Sequence, residues 1–139
     1  MQTSVRAFIP VIAALLSTTI PLSAHHGDAA YAATPKEMKG CVVTEFNWMN
    51  PHSLIKFDYK TESGETQHWT MEIGSPPSMA LLGWSRTTLR PGDVITAYVY
   101  QAKTGLAVGR TNKVILADGT VLADRDDSMP SRYGTEPAK

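Results

Sequence analysis

The sequence predicts an all-β domain with one short helix, arranged as a small OB-like Greek-key barrel of five to six antiparallel strands. Three observations lead there. Short runs rich in β-branched and aromatic residues recur between Gly, Pro and Asn turn signals, several with strict period-two alternation. One helical segment interrupts them after the third run, which is the element order of an OB-fold. The domain also has a single cysteine and so must bury apolar surface and hide its strand edges without disulfides, which closure into a barrel achieves. A small β-sandwich would show similar spacings.

Read from the N-terminus, Arg6 precedes an uncharged apolar run, "AFIPVIAALLSTTI", closed by "LSA". This is the pattern of a cleaved secretory signal over residues 1–24, and the run is short for a membrane span. Cleavage after Ala24 would make His25 the first residue of the mature chain. Residues 25–38 lack periodicity and read as an N-terminal arm. The barrel is expected over 39–123. "GCVVTEFNW" is the first strand, broken at Asn50-Pro51. "HSLIKFDY" alternates Ile55, Phe57 and Tyr59 with polar residues. Gly64 turns the chain into "TQHWTMEI", which puts Trp69, Met71 and Ile73 on one face and His68, Thr70 and Glu72 on the other. "SMALLGW" is the helix, with Ser78 as its N-cap. "LRPGD" turns into the strand "VITAYVY". "KTGLAVGR" reads as a loop, and "NKVILADGTVL" as a fifth strand turning at Asp118-Gly119 into a short sixth. Residues 124–139 are polar with two prolines and read as a disordered tail.

Charge excludes some functions. Acids and bases number 13 each in the whole chain, and Arg6 is the one base of the signal segment. The mature chain is therefore close to neutral and has no basic block, which argues against nucleic acid as a partner and against a charged membrane surface. No transmembrane segment is expected once the signal is removed. Cys41, alone in an oxidising compartment, has no internal partner and reads as a small buried apolar side chain. There is no "G-x-S-x-G" elbow, and the glycines of "TGLAVGR" have the wrong spacing for a phosphate cradle. Binding is favoured over catalysis.

The motifs "HHG", "NWMNPHS", "EIGSPPSMALLGWSRTTLRPGD" and "VILADGTVL", in this order, resemble a family of small secreted proteins of Gram-negative bacteria known only as a domain of unknown function. The resemblance covers nearly all of the mature chain. It implies export, one β-rich domain and an arm that begins with histidines, and it carries no activity. Met49 stands inside the "W-x-N-P-H" motif where a hydroxyl or small residue is usual, and His68 is a further departure.

The four histidines carry the chemistry: His25, His26, His52 and His68. A mature N-terminal histidine offers its α-amine, with a reference pKa of about 7.7–8.0, together with a ring nitrogen. One more imidazole completes a three-nitrogen tetragonal set, which suits Cu(II) ahead of zinc. No "H-x-x-x-H" or "C-x-x-C" spacing suggests a prefabricated zinc site. The expected metal ligands are His25 and His26, with His52 completing the set and Glu72 or His68 as a fourth donor. This reading is an exported periplasmic copper-binding protein. The alternative is a metal-free interaction module that uses Trp48, Asn50 and His52 to hold a protein, peptide or glycan in the periplasm. A weaker third reading makes His52 and Glu72 an acid–base pair, which needs a pocket that excludes water.

Overall fold

A computed structural model describes residues 30–125. The predicted signal segment, His25, His26 and the tail from residue 126 lie outside the described residues.

Among the described residues, six strands and one helix follow in chain order: β1 (Lys36–Asn47), β2 (Ser53–Lys60), β3 (Thr66–Ile73), α1 (Pro76–Ala80), β4 (Val94–Gln101), β5 (Val108–Ile115) and β6 (Val121–Ala123). They form one sheet in the order β3-β2-β1-β4-β5-β6. A parallel pairing of Thr70, Met71 and Glu72 with Val108, Gly109 and Arg110 brings β3 against β5 and closes five strands into a barrel. β6 is an extra strand on the free side of β5. This is the OB-like barrel that the element order predicts.

The alternation seen in the sequence is the barrel's inside and outside. Ile55 and Phe57 of β2, and Trp69, Met71 and Ile73 of β3, are buried, while Lys56, Thr70 and Glu72 between them are not. Phe57 and Trp69 stack at 6.3 Å with their planes 7° apart. β1 begins at Lys36 rather than at Lys39, because Met38 is fully buried and belongs to the core. β1 serves two partners: its first half pairs with β4 and its second half with β2. The register shifts between Met38 and Cys41, where Gly40 takes φ 69°, a conformation that glycine adopts without strain.

Two elements differ from the sequence expectation. The helix starts at Pro76, with Ser75 at the N-cap, rather than after Ser78. A proline at the first helical position has the right φ and no amide hydrogen to lose. Its work is to bury Met79 beside Gly74 at the barrel end, where Trp84 donates from Nε1 to the Ala123 carbonyl at 2.8 Å. The second difference matters more. Val108–Arg110, read from the sequence as part of a loop, is the start of β5 and forms the barrel closure.

No helix among the described residues is long and apolar enough to cross a membrane.

The closure depends on Gly109, which is buried where β3, β4 and β5 meet. A Cβ there would press on Val99 Cγ1 and sit 2.6 Å from the Tyr100 carbonyl oxygen, which is backbone and cannot swing aside. Gly109→Ala is expected to destabilise the domain by about 1–3 kcal/mol, the usual range for overpacking, read as a lower urea midpoint. Cys41 is fully buried, its Sγ donates to the Met38 carbonyl at 3.3 Å, and burial pushes its thiol up to about 11. A thiol reagent at pH 8 is therefore expected to leave Cys41 unlabelled in the folded protein and to label it fully in concentrated guanidinium chloride.

Candidate functional site

The turn from Trp48 to His52 joins β1 to β2 at one end of the barrel. Asn50-Pro51 is a cis peptide bond. Ser53 anchors the turn. Its side chain points inward and is fully buried; Oγ accepts from the Met49 amide at 3.3 Å and donates to the Met49 carbonyl at 3.4 Å. Its own amide donates to the Gly74 carbonyl at 3.2 Å. With Ser53 turned in, strand alternation turns His52 out.

His52 then meets Glu72 of β3, with Nδ1 2.6 Å from Oε1. Because β3 and β5 pair in parallel, Arg110 lies beside Glu72 in register and brings Nη2 to 3.5 Å of the same oxygen. Arg110 was missed in the sequence because its strand was read as a loop. The Glu72 carboxylate can only accept, so Nδ1 of His52 donates and Nε2 faces away from it. Side-chain exposure is 47% at His52, 29% at Glu72 and 14% at Arg110. A half-exposed His52 does not form the water-excluding pocket that an acid–base pair requires. In the turn that follows β3 the Gly74 amide donates to Asp124 Oδ1 at 2.7 Å.

The other barrel histidine repeats this arrangement. His68 of β3 lies directly across from Asp58 of β2, with Nδ1 2.6 Å from Oδ1. His68 is 82% exposed and Asp58 37%. Asp58 was also missed; the hairpin register, centred on Ser63, is what sets it across from His68. His68 and Glu72 share the outer face of β3 four residues apart, roughly 13 Å along the strand, so His68 does not join the His52 pair. Among the described residues no three His, Cys, Asp or Glu side chains converge to hold a metal. The barrel thus presents two separate imidazoles, each held at Nδ1 by a carboxylate. His25 and His26 lie outside the described residues.

Trp48 is half-buried, edge-on to Phe46 at 5.8 Å, and Phe46 in turn lies 6.2 Å from Trp84. Trp48 therefore links the turn to the core rather than standing free as a stacking platform. Met49 and Asn50 are exposed beside His52. A widely open depression of about 240 Å³ lies elsewhere, lined by Thr88, Val94 and Leu116 among others.

Removing the Ser53 hydroxyl should loosen the turn that presents His52. Ser53→Ala leaves the Met49 amide and carbonyl without their side-chain partner and is expected to cost about 1–2 kcal/mol, measured by urea unfolding followed by tryptophan fluorescence.

No curated protein and no solved structure matches the chain. A family model does match, over residues 13–112, which takes in β1 to β4 and most of β5. The chain belongs to that family, described as a family of unknown function (DUF6152).

Proposed function

We propose that this chain is an exported binding protein that holds Cu(II) in the periplasm through a mature N-terminal histidine and an imidazole of the barrel. The observation that carries this reading is the pair of carboxylate-held histidines. At both His52 and His68 the Nδ1 hydrogen is committed to a carboxylate at 2.6 Å. That bond selects the tautomer whose Nε2 carries a lone pair and steadies the ring, which is how metal-binding imidazoles are oriented. Glu72 and Asp58 are in this reading orienting groups, and the donor atoms are Nε2.

A pair of nitrogen donors does not hold Cu(II) tightly by itself. The missing donors come from His25, which supplies an α-amine and a ring nitrogen once the segment ending in "LSA" has been removed, and from His26. Nitrogen donors in a tetragonal set favour copper over zinc. Export is supported by the charged start, the apolar run and the small residue before the cut.

A metal-free interaction role has one observation in its favour. The outer β2–β3 face is where OB barrels bind, flanked by the loops between β1 and β2 and between β4 and β5. Those loops expose Met49 and Leu106.

Cu(II) titration of the protein purified from the periplasm, its N-terminus confirmed by mass spectrometry, tests the copper reading against a form with one alanine ahead of His25. The authentic form is expected to bind at least tenfold more tightly. Equal weak binding by both would remove the copper reading and turn attention to the β2–β3 face.

A further inference from the structure

We infer that two copies of this barrel pair through the outer face of β2 and β3 around divalent cations such as Zn(II), each ion bridging His68 of one copy and His52 of the other. The site uses barrel residues alone and stands apart from the N-terminal histidine. Within one copy no three donors converge among the described residues. The face nevertheless holds two exposed imidazoles, each bound at Nδ1 by a carboxylate and each leaving Nε2 to something outside. Zinc takes several such donors, so a further nitrogen has to come from a second molecule.

The order of the groups says which molecule. Toward the start of β3 the imidazole is on β3 and the acid on β2, as His68 and Asp58. Toward its end the acid is on β3, as Glu72, and the imidazole is His52 in the turn that leads into β2. Acid and imidazole have changed sides. Thr70 and Lys56, directly across from each other, lie midway between the two pairs. A second copy turned about a two-fold axis through that midpoint, in the plane of the contact and across the strands, lays β3 antiparallel over β3. His68 then faces Glu72 of the second copy, and Asp58 faces its His52. The pattern is complementary to itself, as a two-fold interface requires.

Charge gives the ion its place. Each end of the contact brings two carboxylates together, Asp58 of one copy and Glu72 of the other. Arg110 is in contact with Glu72, while Asp58 has no ion-pair partner besides His68 among the described residues. A dication between the copies removes the repulsion. The two Nε2 atoms are its nitrogen ligands, and the carboxylates stay at Nδ1, where they orient the rings. The middle of the face does not oppose the approach: Thr70 is small, and Lys56 Nζ is paired with Glu45 Oε2 at 2.6 Å. Face-packed sheets lie about 10 Å apart, a gap that two facing histidines fill with an ion about 2.0–2.1 Å from each nitrogen. The two ends lie roughly 13 Å apart along β3, so the dimer holds two equivalent ions.

Sedimentation velocity tests this in the form with an alanine ahead of His25, so that the outcome does not turn on the copper reading. Zn(II) is expected to tighten self-association at least tenfold, converting monomer to dimer with one ion per chain, and EDTA is expected to reverse it. His68→Ala and His52→Ala each abolish the zinc effect; both positions are exposed, and an unchanged urea midpoint confirms folding. An equimolar mixture of the two variants regains a zinc-dependent dimer with half the metal, because one end of the mixed pair still sets His68 against His52. A parent chain that stays monomeric in zinc, a single variant that still dimerises, or a mixture that fails to do so overturns the inference. The copper reading stands or falls separately, by the Cu(II) titration of the authentic N-terminus.

Discussion

Everything in this domain depends on three residues of parallel pairing. Thr70, Met71 and Glu72 lie beside Val108, Gly109 and Arg110, and without that contact the sheet is an open, curled meander with two edges. Closure buries both sides of the gap and removes the edges that a small sheet would otherwise expose. It needs one position without a side chain, Gly109, because the β4 backbone passes too close for a Cβ. The same contact sets Arg110 against Glu72, so the interaction that closes the barrel also braces the carboxylate that holds His52.

The barrel wall turns a simple alternation into chemistry. Each strand sends one residue in and the next out, so the apolar series from Ile55 to Phe57 and from Trp69 to Ile73 leaves an outer series of polar residues. On this side of the wall His68 falls directly across from Asp58, while Glu72 reaches His52 in the turn just before β2. Exposed ion pairs of this kind add little to stability. Their effect is geometric: a carboxylate at Nδ1 settles the tautomer and the direction of Nε2. Two such histidines on one small surface, separated by most of the length of β3, make two distinct presentation points rather than one cluster.

The chain ends are distributed with the same logic. The N-terminal arm continues the line of β1 along β4 and is hydrogen-bonded past the end of that strand. The C-terminal exit is tied at the other side, where Asp124 accepts from the Gly74 amide and donates its own amide to the Asn112 carbonyl. Tyr31 is thus fastened beside Ala102, and Asp124 beside Gly74, next to the Ser53–Ile73 pair.

Much of this was legible in the residues alone. Period-two alternation placed Ile55, Phe57, Trp69, Met71 and Ile73 inside, because a strand half-buried in a barrel leaves no other pattern. The single helix after the third strand predicted the topology, and the composition of "AVGR" concealed the closure: Gly109 looks like a loop residue by propensity and is a strand residue by packing. Asp58 was within reach of the sequence, since hairpin register is counted from its turn. Arg110 was not, because its neighbour comes from a parallel pairing between strands 38 residues apart, and no local pattern encodes that register. By itself the sequence determined which side chains face out and which donor types are available, since both follow from local spacing. Only the tertiary structure decided that Glu72 meets both His52 and Arg110, because that depends on how a curved sheet returns to meet itself.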